Sequence, residues 1–351
     1  MFYGSNDAIV IYRSAHMIRF PSPLQPGDSV AVCAVSSGVP EVMQARLDAS
    51  LQQLRDAGYH VLEGATLRRQ QQQASGSVAE RLADLNRFLY DPAVKAILPP
   101  WGGELAMPLL AGLDWARLAA LPPKWLCGFS DVSTLAVPLT LRAGWATLHS
   151  PNLFDLSHPQ RQAEMQALWH SWQHGLPPPQ QAYTQYWAEG DPATPAASRV
   201  RVAGGGSVRL QGVLLGGCLD TLSRLAGTPY LDLARWRGQP LLLYLENAEL
   251  APCELLRALT GMRLAGSFDG LAGLILGRSS GPDARHPDEL GYEDAVLQAL
   301  DGLPCPLVLD ADIGHVPPQW TLMNGAWAEL EVGPGHARLL QRHPDFNRAG
   351  E

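Results

Sequence analysis

Three side chains that together can cleave an amide bond stand where apolar runs end: Ser130 after KWLCGF, Glu246 after LLLYL, and His315 after VLDADIG. A serine hydroxyl is a weak nucleophile near neutral pH and needs a base within hydrogen-bond reach. That base needs a partner to fix its tautomer and steady its charged form. Ser130, His315 and Glu246 would fill these roles in that order. Gly102 and Gly103 follow a fourth run, AILPP. Without a side chain there, a backbone N–H can approach a substrate closely, and the N–H of Asp131 would be a second donor to an oxyanion.

Each residue also has an ordinary structural reading. Ser130 can cap a helix that starts near Asp131, His315 can be a loop residue ahead of Val-Pro-Pro, and Glu246 can pair with an arginine between domains. A Gly-Gly after a strand commonly makes a turn. The segment GFSDV also lacks the second glycine of the G-x-S-x-G elbow.

Chemistry at four strand ends requires a scaffold that gathers such ends. DSVAVCAVSS reads as a buried strand, and Met43, Leu47, Leu51 and Leu54 form one apolar helix face before Gly58. YHVLEG gives a second strand. Ser77 and Glu80 make an S-x-x-E capping box ahead of Val78, Leu82, Leu85 and Leu89. VKAILPP is a third strand, AMPLLAGLDWARLAAL a helix stopped by Pro122-Pro123, KWLCGF a fourth strand, and a fourth helix follows Ser130. Such alternation implies an α/β fold with a parallel sheet and a site outside the carboxyl ends of its strands.

Composition changes between about 155 and 207, where SHPQRQ, GLPPPQQ, GDPATPAAS and GGGS suggest a connector or lid. Beyond it VRLQGVLLGG, PLLLYLEN, GLAGLILG and CPLVLDADIGH read as strands, with helices near 251–260 and 292–301. The expected organisation is a tail over 1–19, an α/β domain with the serine over 20–175, a connector over 176–207, and a smaller β-rich α/β domain with Glu and His over 208–351.

A chain of 351 residues, 46% hydrophobic, can bury a sizeable core. Its net charge of −8 disfavours nucleic acid and leaves a small or peptidic substrate as the expected partner. No stretch reaches the ~18 apolar residues of a membrane span, and the N-terminal stretch lacks a signal-peptide pattern, so a cytoplasmic location is expected. Cys33, Cys127, Cys218, Cys253 and Cys305 form no C-x-x-C pair and read as buried thiols. Asp310 and Asp312 near His315 read as a turn and a supporting pair, so neither a metal nor a cofactor is expected.

Taken in order, PGDSVAV, GGELAM, PKWLCGFSDVSTL, LHSPN, LLGGCLDTLSRLAGTPYL, LLYLENAE, GLILGR and DIGHVPPQWTLMNGAWAEL resemble the LD-carboxypeptidase family of serine peptidases, which includes the microcin C immunity peptidases. The resemblance runs over about residues 20–340. It implies that Ser130 is the nucleophile, Glu246 and His315 its partners, and the Gly103 and Asp131 N–H groups the oxyanion donors, with the serine on a Rossmann-like N-terminal domain and the site in the cleft between it and the C-terminal domain. It also implies a homodimer and a murein tetrapeptide substrate that loses its terminal D-Ala in cell-wall recycling. The family's other branch implies an aminoacyl-nucleotide substrate, whose base would stack on an aromatic side chain such as Trp187. Trp187 can equally be a packing residue. Trp101 and Glu104 stand where many muramoyl-tetrapeptide carboxypeptidases have Arg and Tyr. This departure touches the substrate rather than the chemistry, and leaves Gly102, Glu104 and Trp187 as candidate substrate contacts. His149 reads as a buried structural histidine.

Overall fold

A computed structural model describes residues 18–187, 195–236 and 238–344. Most of the tail expected over 1–19 lies outside the described residues. Arg19 does not behave as tail, since its guanidinium donates to the carbonyls of Leu121, Ala119 and Ala143.

The first half alternates as the periodicities predict: β1 (Ser29–Val32), α1 (Gln44–Asp56), β2 (His60–Glu63), α2 (Val78–Tyr90), β3 (Val94–Leu98), α3 (Trp115–Ala120), β4 (Trp125–Leu126) and α4 (Ser133–Pro138). Its sheet is parallel, in the order β2-β1-β3-β4. Leu47, Leu51 and Leu54 of α1 are buried, and Gly58 just past it takes a φ of +91°, which glycine adopts without steric cost. Ser77 and Glu80 cap α2 reciprocally, worth about 1 kcal/mol. The expected long helix over AMPLLAGLDWARLAAL is instead two pieces. A 3-10 turn covers Met107–Gly112, and Asp114 then caps a new start by accepting from the Arg117 N–H. An Asx cap inside the stretch overrides its apolar period.

After β5 (Thr147–His149), the Pro- and Gln-rich region holds more structure than its composition suggests. It contains α5 (Gln162–His174), β6 (Gln180–Gln181), β7 (Gln185–Tyr186), β8 (Ala196–Ala197) and β9 (Arg201–Val202). Met165, Leu168 and Trp172 anchor α5 in the core.

The second half comprises β10 (Val208–Cys218), α6 (Leu219–Leu222), β11 (Leu241–Glu246), α7 (Pro252–Leu264), β12 (Gly273–Gly277), α8 (Tyr292–Ala299), β13 (Leu307–Ala311), β14 (Leu322–Asn324), β15 (Trp327–Gly333) and β16 (His336–Arg342). Its eight-stranded mixed sheet runs β6-β16-β15-β10-β11-β12-β13-β9, so connector strands close both edges. Strands β10 to β13 are parallel and end at Cys218, Glu246, Gly277 and Ala311. Their carboxyl ends form the rim where ligands bind in open α/β sheets.

Two devices join the halves. Strand β14 pairs antiparallel with β5, setting Leu322 opposite His149 and Asn324 opposite Thr147. One continuous core also includes Val132 and Leu135 together with Val213, Leu215 and Leu245. No helix among the described residues is long and apolar enough to cross a membrane. The cysteine expectation holds for Cys33, Cys127 and Cys218, which are buried, but Cys253 at the start of α7 is exposed and Cys305 is half-exposed. Cys253 lies outside the buried face of α7, formed by Leu255, Leu259 and Met262, whereas Cys305 packs partly against the second half's core.

Candidate active site

Ser130 sits on a sharp turn between β4 and α4. Its φ is +64°, a left-handed conformation that costs a residue with a Cβ about 1–2 kcal/mol. Gly128, two residues earlier, has a φ of +135°, and a methyl group on it would lie 2.4 Å from Asn152 Oδ1. The turn therefore presents Ser130 without help from the G-x-S-x-G pattern. A methyl group on Gly102 would lie 2.6 Å from both Cβ and Oγ of Ser130 and 3.1 Å from the Asp131 nitrogen. Gly102 is thus the backbone wall against the hydroxyl. Gly103, at φ +133°, packs instead on Ser36 and Ser37. Neither the Gly103 nor the Asp131 N–H donates to another group among the described residues.

The buried Asp131 carboxylate holds this geometry. It accepts from Ser36 Oγ at 2.6 Å, the Ala106 N–H at 2.8 Å and Thr134 Oγ1 at 2.8 Å. Ser36 Oγ in turn accepts from the Leu105 N–H at 2.9 Å. The Gly-Gly loop and the serine turn are therefore tied through one side chain.

Glu246, at the end of β11, is fully buried and its Oε2 lies 2.8 Å from His315 Nδ1. Bare backbone surrounds it: methyl groups on Gly277 and Gly314 would lie 2.9 Å from Glu246 Cβ and 2.5 Å from Glu246 Oε2. Its Oε1 is buried without a hydrogen-bond partner among the described residues. Burial alone would lower the His315 pKa, but the Glu246 charge and hydrogen bond, with Asp220, raise it above the ordinary 6.5. The ring of His315 meets the ring of Phe129, the residue before Ser130, edge-on at 4.8 Å. Ser130 Oγ makes no hydrogen bond to His315, whose Nδ1 pairs with Glu246.

The left-handed serine lies in the first half, and the imidazole backed by a buried carboxylate lies in the second; each half is matched by its own family profile. The N-terminal LD-carboxypeptidase domain profile matches residues 30–150 and the C-terminal one residues 211–330. The chain belongs to the LD-carboxypeptidase family of serine-type carboxypeptidases. It is 33% identical over 328 residues to an inferred carboxypeptidase of Streptomyces coelicolor, covering 91% of this chain and 95% of that protein. To the probable murein peptide carboxypeptidase of Bacillus subtilis it is 29% identical over 319 residues, or 89% and 91% of the two chains. In fold it is similar to the structure of MccF in complex with glutamyl sulfamoyl guanosine, at TM-score 0.77 and 20% identity, over 92% of this chain and 98% of that one.

Within this LD-carboxypeptidase fold, Ser130, Asp131, Gly103 and Glu104 line a cleft of about 440 Å³ with Cys218, Asp220, Arg224, Glu249 and Glu254. Burial, followed by Glu249, Asp131 and Asp220, pushes the Glu104 carboxyl up from its ordinary value. Trp187 lies elsewhere on the rim: its N–H donates to Pro317 O at 2.9 Å, two residues from His315. His149 is buried, donates from Nε2 to Gln319 Oε1 at 3.2 Å, and is held down to a pKa of about 3 by burial and by His315. Asp312 ion-pairs with Arg278 and accepts from the Tyr183 N–H and Ser198 Oγ, while Asp310 pairs with Arg201. No cluster of metal-binding side chains occurs among the described residues.

Two residues beside His315 were not picked out from the sequence. Arg278, directly after β12, donates to Val316 O and Pro318 O around the His315 turn. Arg161, in the SHPQRQ stretch read as connector, donates to His315 O at 3.2 Å. For Arg278 a signal existed: a lone cation closing an apolar strand, in the same place as Glu246. Arg161 had none, because its partners lie up to 154 positions away.

Proposed function

We propose that this chain is an LD-carboxypeptidase that removes the terminal D-Ala of a murein tetrapeptide from its meso-diaminopimelate neighbour, with Ser130 as nucleophile. Ser130 Oγ attacks the scissile carbonyl carbon while His315 Nε2 takes its proton, and Glu246 holds the resulting imidazolium. The oxyanion is met by the Gly103 and Asp131 N–H groups, which have no other acceptor among the described residues. The leaving amine receives the proton from His315. Water, deprotonated by the same imidazole, then releases the acyl group. Attack requires His315 to close on Ser130, a movement apo sites of this kind commonly need.

The observation that carries this reading is the pair of buried Glu246 and half-buried His315 at 2.8 Å, whose imidazole meets Phe129, the residue before a left-handed serine with Gly102 against its hydroxyl. The substrate assignment draws on the cleft: Glu104, Asp220, Glu249 and Glu254 outnumber Arg224. That balance suits a peptide with free ammonium groups and a terminal carboxylate, as diaminopimelate followed by D-Ala provides. A relative named as a murein peptide carboxypeptidase supports it. We further place the enzyme in the cytoplasm in cell-wall recycling and as a homodimer, on family resemblance.

A second reading, an aminoacyl-nucleotide amidase, is favoured by Trp187, whose backbone is pinned beside the His315 turn, where its ring can meet a base. MccF binds glutamyl sulfamoyl guanosine in its solved complex. Turnover of an L,D-tetrapeptide and of an aminoacyl-adenylate analogue in one assay separates the two, with Ser130→Ala as the blank. Preferred release of D-Ala supports the first reading. Exclusive cleavage of the nucleotide overturns it.

A further inference from the structure

Arg161 is 5% exposed and its guanidinium reaches four groups. It donates to Glu164 Oε2 at 2.7 Å and to His315 O at 3.2 Å, lies 3.4 Å from Asp155 Oδ1, and its Cζ sits 5.4 Å from the Phe129 ring centre. Phe129 precedes the nucleophile and touches the His315 ring. One cation from the first half thus contacts both the residue beside Ser130 and the backbone of the base. Asp155 extends the tie, since its Oδ2 accepts from the N–H of Asn152, whose side chain packs on Gly128 in the serine turn.

A buried ion pair is poor value for stability alone, because apolar residues of similar volume commonly do as well or better. Its merit is geometric: a planar guanidinium spans several acceptors at fixed angles, which lysine cannot do. The far side of the same turn is already held by Arg278 at Val316 O and Pro318 O. Arg161 holds the near side, at His315 itself.

We propose that Arg161 is a positioning residue that sets His315 against Ser130 across the boundary between the two halves. The proposal rests on the serine-hydrolase chemistry above but not on which peptide is cut. The charged groups facing His315 are Glu246 and Asp220 from the second half and Arg161 from the first, with His149 also close. Those facing Arg161 are Glu164, Asp155, Glu246 and His158. Arg161 works against protonation of His315, so its removal moves the imidazole's titration to higher pH.

The test measures, across pH, the rate at which a small alkyl fluorophosphonate modifies Ser130. In that reaction Oγ forms a bond to phosphorus, fluoride leaves, and the proton passes to His315. Arg161→Met should react of the order of 10²-fold more slowly, the cost of about an ångström of misplacement, with its acid limb at higher pH than wild type. Arg161→Lys keeps the charge and loses the span: it should react slowly with the limb unmoved. Circular dichroism and thermal melts identify folded variants, and Arg161→Lys carries the test if Arg161→Met does not fold. Wild-type rate and limb in a folded variant overturn the proposal, as does loss of peptide hydrolysis with the phosphonate rate intact. If wild type reacts with the probe but cuts no murein peptide, the substrate assignment falls and the Arg161 comparison still decides this proposal. A wild type inert to the probe overturns both.

Discussion

Replacing Gly102 by alanine adds one methyl group at a known place. That carbon would lie 2.6 Å from Ser130 Cβ and Oγ, whereas carbon contacts settle at about 3.5–4.0 Å. Roughly an ångström must be found, and Ser130 cannot yield it by rotation alone, because both its Cβ and its Oγ are in the way. Gly102 has no left-handed φ, so the alanine backbone is unstrained and the whole cost is steric. Overpacking of this kind destabilises by about 1–3 kcal/mol, which a folded chain survives, while an ångström of displacement at a reacting atom costs about 10²-fold in rate. Gly102→Ala should therefore stay folded and lose about two orders of magnitude in kcat/KM and in Ser130 phosphonylation. Gly103→Ala makes a contrasting control: with φ at +133° and Ser36 and Ser37 within 2.6 Å, it adds backbone strain to the steric cost and should lose more stability than Gly102→Ala. A Gly102→Ala enzyme with wild-type kinetics would mean that this glycine does not wall the reacting hydroxyl, and the site assignment would fail with it.

Ser130→Gly removes the nucleophile and also the left-handed strain, so it should be inactive yet melt higher than Ser130→Ala, which keeps the strain; the gap should correspond to about 1 kcal/mol. Asp131→Ala leaves the donors Ser36 Oγ, Ala106 N–H and Thr134 Oγ1 unpaired in the interior and should cost about 1–3 kcal/mol or more in urea unfolding, with activity lost in the folded fraction. With His315 as the proposed base, activity requires its neutral form, and its raised pKa places the acid limb of kcat/KM above 6.5; Glu246→Gln should lower that limb and the maximal rate together, and an unmoved limb would remove Glu246 from its role. The stability term of the same histidine runs oppositely: it is fully present below 6.5 and lost as pH rises through the folded value, as melts across pH 6–9 would register.

Much of the fold was legible because its signals are local. The Ser77–Glu80 box, the Leu47–Leu54 stripe and the apolar strands β3, β11 and β12 announce themselves within a dozen residues. The hairpin of β15 and β16 was missed although it alternates: Ala328, Leu330, Val332, Ala337 and Leu339 point inward, while outward residues such as Glu329, Glu331 and Arg342 pair across the strands with each other and with Arg209. Helix α5 hid in a Pro- and Gln-rich context although Met165, Leu168 and Trp172 mark its buried face. At the site, Ser130, Glu246 and His315 were visible because each closes an apolar run. Asp131 entered the expectation through its N–H alone, and its carboxylate's tie to Ser36 and Ala106 is a contact between positions 95 and 25 residues apart.

The distribution of strain and restraint says how the two halves depend on each other. A serine in a left-handed conformation persists only where its surroundings over-determine it. Here the restraints come from Asp131 through Ser36 and Ala106, from Gly102 against the hydroxyl, and from Ser133, whose Oγ accepts from the Cys218 N–H of β10 at 3.0 Å. A methyl group on Gly217 would lie 2.4 Å from that same Ser133 Oγ, so β10 and the start of α4 approach as closely as backbone permits. The second half therefore buttresses the nucleophile's helix as well as supplying Glu246 and His315. Widening this seam alone, with Gly217→Ala, should slow Ser130 phosphonylation although no group with a chemical role has been changed. An unchanged rate in a folded Gly217→Ala variant would show instead that the serine turn is determined within the first half.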